Sequence, residues 1–418
     1  MTVSAPSRPT ITGGSGFYRL KWEEEGITIT ASRIREKPDG TITAEIEVTS
    51  KKTPYPHLRL TRLNLLSARS RKALAQDLEQ IQPIAWDALL EQLAVHVVKR
   101  EREGEPWHRI SSEGEIAPIR WLVRPLLVEQ APTVIVGPGG SGKSYAVLFV
   151  ATLVATGRRH PGIQLEPQAQ APVLVLDWEA DKQELERRLR RLTLGMGLEE
   201  PVEIVYRRCA LPLADDLEAI QTAITEFQPG LLVIDSMGPA VGGDLLSAAD
   251  ATRFFAALRR LGVASLIVAH TPKSGNGIYG STFHRNLARS VWEAHAYAVP
   301  GENSVAIGLF NTKSNMTGLQ RPIGLEFQFD GDDGPVRVLP REVTDIPEVG
   351  DKAPTRDRIL ALLPRTGPLS ITDIAKHLGV SYDTAKKTLY RLEERKQVVR
   401  LDGGRFAAAM EDPDVVPF

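Results

Sequence analysis

Gly137-Pro138-Gly139-Gly140-Ser141-Gly142-Lys143-Ser144 stands between an apolar run, Thr133–Val136, and a second apolar stretch, Tyr145–Thr156, with the composition of a helix. The octapeptide fits G-x-x-x-x-G-K-[ST] in the context that gives the pattern its meaning, a strand before it and a helix after it. Glycines let the backbone curl until several N–H groups converge, and a helix beginning there adds a field that favours anions. Gly137, Gly139, Gly140, Ser141, Gly142, Lys143, Ser144 and Tyr145 are therefore the expected nucleotide-binding residues. Lys143 would reach the β- and γ-phosphates and Ser144 would hold Mg²⁺, so ATP and Mg²⁺ are the expected cofactors. A glycine-rich turn arising by chance is the alternative, and the flanking strand and helix argue against it.

Working outward, Val173–Asp177, Leu231–Asp235, Ser265–Ala269 and Val305–Phe310 read as further strands. Helical stretches separate the first members of the series, and that alternation predicts βαβ units around a parallel sheet. Leu231-Leu232-Val233-Ile234-Asp235 is a buried strand whose terminal carboxylate emerges at the ligand edge, where a second Mg²⁺ ligand is needed. Buried strands often end in Asp, so this pattern gains its weight from the P-loop upstream. Ser236 follows where a water-activating glutamate could have stood. The candidate base is instead Glu179 of Asp177-Trp178-Glu179, on the next strand after the P-loop helix. Glu179 as a cap for the helix Asp181–Leu192 is the competing reading. His270 ends the strand Ser265–Ala269 and could sense the γ-phosphate, or could be a satisfied core histidine. The glycine-rich loop after it, from Lys273 to Gly280, could place Lys273 on DNA.

Four elements, Gly137–Ser144, Asp177-Trp178-Glu179, Leu231–Ser236 and the His270 strand end with Gly280-Ser281-Thr282 downstream, resemble the RecA-like ATPases. The likeness runs to the RepA-type hexameric plasmid helicases and spans roughly residues 121–329. It implies that Glu179 is the catalytic base. It also implies that Arg289 acts as a finger on a neighbour's nucleotide, supplying a cation that the subunit's own site lacks. A basic residue near Lys313-Ser314-Asn315 also reaches across the interface in related hexamers; here the second basic position is Asn315, which weakens a role for Lys313. Either residue could instead form an ordinary surface ion pair.

The flanks differ in kind. In 1–118, period-two alternation through Ile27, Ile29, Ala31 and Ile42, Ala44, Ile46, Val48 surrounds the turn Lys37-Pro38-Asp39-Gly40, which predicts a hairpin with one buried face. Helical stripes follow at Leu74, Leu78, Ile81 and at Leu89, Leu90, Leu93, separated by Pro83. The ATPase core is expected over 119–340 and a linker over 341–354. Residues 355–410 read as helix, helix-turn-helix and hairpin, the winged-helix plan, with Ser370 and Ser381 as caps and Gly379 as a stop. Between Asp351 and Arg405 basic residues outnumber acidic ones by five. Tyr382, Lys386, Lys387 and Tyr390 project from the third helix away from its apolar stripe, as a duplex reader requires, and Arg391 and Arg405 are further candidate DNA-binding residues. Winged helices also dock proteins, so both partners stay open.

The chain has 418 residues and a formal net charge of −1, so nucleic-acid binding must come from local patches. The single Cys209 excludes an internal disulfide framework and cysteine-rich zinc modules. No apolar run approaches a membrane span, and the polar Met1–Gly16 stretch lacks a signal core, which predicts a cytoplasmic protein. Together these features predict an α/β fold: a RecA-like core with a mostly parallel sheet, an N-terminal α+β region and a C-terminal winged helix. The function expected is that of an ATP-hydrolysing ring, a hexamer, moving on single-stranded DNA as a replicative or recombination helicase of a phage, plasmid or other mobile element. An ATP-dependent DNA-binding regulator without unwinding activity is the alternative.

Overall fold

The structure, a computed structural model, describes residues 6–14, 16–37, 39–104, 106–272 and 277–409. The first unit is an antiparallel meander of β1 (Thr10–Gly14), β2 (Phe17–Trp22), β3 (Ile27–Glu36), β4 (Ile42–Ser50) and β5 (His57–Asn64), paired in chain order. Helices α1 (Ala68–Glu79) and α2 (Trp86–Arg102) cover one face. The period-two pattern sends Leu20, Trp22, Ile29 and Ile46 inward, where they pack with Leu78, Trp86, Leu89 and Leu93. The expected hairpin is β3–β4. Its turn is closed by Gly40 N–H to Lys37 O at 2.8 Å, while Pro38 lies outside the described residues. Ile81, read as part of the first helical stripe, falls beyond α1 and is exposed, because the helix stops before it.

The second unit runs through β6 (Trp121–Arg124), β7 (Leu127–Val128), β8 (Pro132–Gly137), α3 (Lys143–Thr156), β9 (Glu166–Pro167), β10 (Val173–Asp177), α4 (Lys182–Gly195) and β11 (Val205–Arg208). It continues through α5 (Leu217–Phe227), β12 (Leu231–Asp235), α6 (Met237–Val241), α7 (Ala248–Leu261), β13 (Ala264–His270) and α8 (Thr282–Leu287). The chain then turns to strands alone, β14 (Ser290–Tyr297), β15 (Ser304–Ser314), β16 (Ile323–Phe329) and β17 (Val336–Pro340). One sheet takes nine of them in the order β11-β10-β12-β13-β8-β14-β15-β16-β17. The first six are mutually parallel, and the last three alternate in direction. The sheet is thus parallel where helices cross over and antiparallel where short turns suffice. Helix α3, apolar all round, is sandwiched inside this unit, with Phe149, Val150 and Leu153 wholly buried.

The N-terminal unit is anchored to this core by charge. Asp215 accepts from both Arg35 and Arg253, and Arg19 pairs with Glu218. Burial opposes ionisation of Asp215, but the two guanidinium groups outweigh it and hold its carboxyl below the usual range.

Residues 341–353 do not hang free between units. They form two 3-10 turns whose Val343, Ile346, Val349 and Ala353 bury against Ala306 and Phe310 of β15. Beyond them α9 (Thr355–Thr366), β18 (Leu369–Ser370), α10 (Ile371–Leu378), α11 (Tyr382–Glu394), β19 (Val398–Arg400) and β20 (Arg405–Ala408) complete a winged helix. Ser370 and Ser381 accept from Asp373 N–H and Thr384 N–H as expected caps, and Gly379 ends α10 at φ +62°. Ala385, Leu389 and Leu392 face its core. No helix among the described residues is long and apolar enough to cross a membrane.

Phe149 is the largest wholly buried side chain of α3. Phe149→Ala should cost about 3–5 kcal/mol in chemical denaturation while leaving the exposed winged-helix surface unchanged.

Candidate nucleotide site

Parallel register fixes which residues meet. Asp177 pairs with Asp235, Ile234 with Ile267, and His270 with Gly137, so the carboxyl ends of β10, β12, β13 and β8 share one edge of the sheet. That edge is where an open α/β sheet receives its ligand.

The loop Gly137–Ser144 curls as its glycines permit. Gly140 and Gly142 have φ of +71° and +72°. A Cβ on Gly137 would fall 2.6 Å from Ala294 O, and one on Gly142 would fall 2.7 Å from Ile307 Cδ1. Strands β14 and β15 therefore press on the loop from behind. Lys143 is 4 % exposed; its ammonium donates to Gly137 O at 2.9 Å, Pro138 O at 2.5 Å and Ser141 Oγ at 3.3 Å. Burial pushes its pKa below the usual lysine value, and the charges of Asp235 and Glu179 oppose that shift. Tyr145 turns its ring to Phe329 and Phe327, with the Arg188 guanidinium 5.7 Å away.

Ser144 Oγ donates to Asp235 Oδ2 at 3.2 Å, so the two residues expected to hold Mg²⁺ are in contact. Burial first, then the nearby Glu179 and Asp177 charges, push the Asp235 carboxyl up to about 6. Among the described residues no group of three His, Cys, Asp or Glu side chains is placed to hold a metal. A hydroxyl and a carboxylate beside a phosphate cradle fit an ion that takes its other ligands from phosphate and water, as Mg²⁺ does. The Asp235–Ser236 peptide is cis.

Glu179 does not cap α4; that cap is Asp181, which accepts from Glu184 N–H at 2.9 Å. Glu179 accepts instead from the Ser236 hydroxyl, and His270 Nε2 lies 3.6 Å from its carboxylate. His270 is exposed at the strand end and is no core histidine. The backbone that carries Glu179 is set by buried Asp177, whose Oδ1 accepts the N–H groups of Glu179 and Ala180 at 2.8 and 2.9 Å. The Asp-x-Glu spacing was a readable signal for this turn, because Asp hydrogen-bonds its own backbone two residues on. Ser236 and Arg188 gave no such signal. Arg188 lines a cavity of about 30 Å³ with Ser144, Asp177 and Asp235, and only the fold brings it there.

Arg289 lies at the other edge. Its N–H donates to Pro132 O at 3.0 Å and Ser290 sits beside Thr133, at the start of β8 whose far end leads into the P-loop. Five residues of strand, roughly 16 Å, separate it from its own Gly137. Its side chain is exposed and forms no ion pair among the described residues. Lys313 is spent locally: its ammonium donates to Arg285 O, Asn286 O and Ala288 O at 2.8, 2.7 and 2.6 Å, closing the end of α8. All three of its donors are engaged.

On the winged helix, Tyr382, Lys387, Arg391 and Arg405 are exposed and Lys386 half-exposed, with the Lys386 ammonium 5.8 Å from the Tyr390 ring. Lys273 lies outside the described residues.

Residues 98–276 match a family described as an AAA domain, and residues 356–409 match one described as a DeoR-like helix-turn-helix domain. No curated protein matches the chain. Among solved structures, the chain is similar to a KaiC-like protein from the hyperthermophilic archaeon Pyrococcus horikoshii. The two are 17 % identical with a TM-score of 0.37, over 53 % of this chain and 100 % of that one. The chain thus carries a RecA-like P-loop ATPase domain, which implies nucleotide use, followed by a helix-turn-helix.

The raised Asp235 pKa has a measurable sign. A carboxyl titrating near 6 when folded and near 3.8 when unfolded binds more protons in the folded state. Its contribution to stability is present below pH 3.8 and is lost as pH rises through 6. Asp235→Asn should therefore stabilise the nucleotide-free protein at pH 7.5 by up to about 3 kcal/mol, with no gain at pH 4, as read by denaturant titration at the two pH values.

Proposed function

We propose that this protein is a ring-forming ATPase motor, a hexamer, that moves on single-stranded DNA in the cytoplasm as a helicase of a phage, plasmid or other mobile element. The observation that carries the reading is the distribution of charge between the two edges of one sheet. Lys143, Ser144, Asp235, Glu179 and His270 gather at the carboxyl edge, while Arg289, with no ion pair among the described residues, stands at the amino edge, beyond reach of its own P-loop. A cation in that position serves a phosphate held by another copy.

In this reading Lys143 and the loop N–H groups bind ATP, and Ser144 and Asp235 would hold Mg²⁺, which would supply positive charge to the phosphates. Glu179, oriented by Ser236 and by the turn at Asp177, accepts a proton from the attacking water. His270, one strand away, senses whether the γ-phosphate is present. Arg289 of the next copy stabilises charge on the transferring group. The winged helix holds duplex DNA through Tyr382, Lys386, Lys387, Arg391 and Arg405.

A second reading rests on the DeoR-like match at 356–409: an ATP-dependent regulator whose winged helix binds a specific duplex and whose ATPase sets assembly state. ATPase stimulation by single strands together with strand displacement supports the first; a sequence-specific footprint without displacement supports the second.

Two further outcomes are expected. Lys386→Ala with Lys387→Ala should weaken duplex binding and lower the salt dependence by about two phosphate contacts, each worth a slope of roughly 0.9, while basal ATPase is unchanged. Glu179→Gln should slow turnover roughly 10²–10⁴-fold with ATP binding kept, and Arg289→Ala should also assemble and bind ATP yet hydrolyse slowly. Mixing the two variants should restore activity, because some interfaces then pair an intact Glu179 with an intact Arg289. Mixed rings that stay inactive at every ratio, with co-assembly confirmed by mass, would exclude a finger acting between copies.

A further inference from the structure

Between α2 and β6 the chain runs from Pro106 to Arg120 without regular structure. Trp107, Ile110 and Ile116 on this arm are 103 %, 96 % and 96 % exposed. Residues 106–119 make no hydrogen bond or ion pair with the rest of the described chain; the one bond within them joins Glu113 N–H to Ser111 Oγ. Three fully hydrated large apolar side chains on one short segment mark a contact surface. The arm ends at Trp121, which lines the same cleft as Arg289. Its root therefore lies on the edge that faces another copy if Arg289 does.

The same chain also carries an apolar groove. Leu65, Leu66, Ala94, Val95 and Val98 line an open depression of about 590 Å³ on the N-terminal unit, with Leu66 46 % and Val95 57 % exposed. Lys99 on its rim has no ion pair among the described residues, and the arm's Glu113 and Glu115 have none either. The groove adjoins the arm's own start at Glu103, yet Trp107 stands clear of it.

We infer that the arm Pro106–Arg120 of one copy docks in the Leu66–Val95 groove of a second copy, its apolar residues in the groove and its glutamates toward Lys99. Fifteen residues span roughly 50 Å when extended; held at both ends, the arm can stand out from its own chain by up to roughly half that, enough to reach an adjoining copy. Arm and groove are different surfaces of one chain, so their contact is head-to-tail, the kind that propagates and can close into a ring. The inference rests on the oligomer proposed above and adds what joins its members.

The test is the mass of the full chain against concentration, with ATP and Mg²⁺ present. The arm variant is Trp107→Ser with Ile110→Ser and Ile116→Ser, and the groove variant is Val95→Glu. All four positions are exposed, so melting temperatures should match the wild type. Each variant alone should need at least about tenfold more protein to assemble. An equimolar mixture should stop at pairs, because only the groove variant's arm and the arm variant's groove form an intact contact. Variants that assemble like the wild type would overturn the inference, and so would full rings in the mixture or an arm that docks on its own groove in a monomer. A wild type that stays monomeric overturns both this and the oligomer. Normal arm-dependent assembly with no rescue between Glu179→Gln and Arg289→Ala removes only the finger.

Discussion

A cation buried in a loop of glycines is costly to hold, and the surrounding fold is shaped around it. The Lys143 ammonium is almost fully enclosed and is met by two backbone carbonyls and one hydroxyl rather than by a carboxylate. Burying an ion this way costs several kcal/mol unless its donors are satisfied. The loop must therefore wrap the side chain closely, which requires left-handed backbone at Gly140 and Gly142. The wrap must also be supported from outside: the Ala294 carbonyl comes too near Gly137 for any larger residue, and Ile307 packs against Gly142. Strands β14 and β15, which bind nothing in the proposed chemistry, are the buttress.

From that constraint the division of labour follows. Parallel strands deliver carboxylates to the loop's edge because each crossover helix returns the chain to the same starting side. Asp235 and Glu179 come from neighbouring strands and repel each other's charge, which is part of why the Asp235 carboxyl is pushed up. Ser236, a hydroxyl where a second acid might have stood, avoids adding a further negative charge and holds Glu179 instead. Function at this edge is built from pairs drawn from different strands, so no single segment contains it.

Local pattern made much of this legible. The P-loop, the strand ends at Asp177 and Asp235 and the caps Ser370 and Ser381 are short-range signals whose physics lies within a few residues. The β3–β4 hairpin and the inward stripe Ala385, Leu389, Leu392 were readable for the same reason. Strands β14, β16 and β17 are absent from the sequence reading although they alternate, as Ile323, Leu325 and Phe327 do with Gly324, Glu326 and Gln328 in β16. Arg188 beside Asp235, Ser236 beside Glu179 and the triple engagement of Lys313 are meetings of distant segments. A sequence without its fold contains no trace of them. The stretch after β17 looked like a linker because Pro and Asp interrupt it, and its four buried apolar residues are spaced for 3-10 turns rather than for a helix.

Strand β14 begins one residue after Arg289 and passes, four residues on, the carbonyl of Ala294 that crowds Gly137. It is bonded to β15 along its length and to β8 over Ser290–Glu293. A strand held between two neighbours resists shortening over that stretch, because shortening breaks its ladder. Such an element behaves as a push-rod set through the thickness of the subunit. In the proposed ring, load applied at the Arg289 end would be carried along it toward the first glycine of the phosphate loop. In a closed ring each rod would start at one nucleotide and end at the next, so that strain from one hydrolysis event would travel round the circle in a single direction.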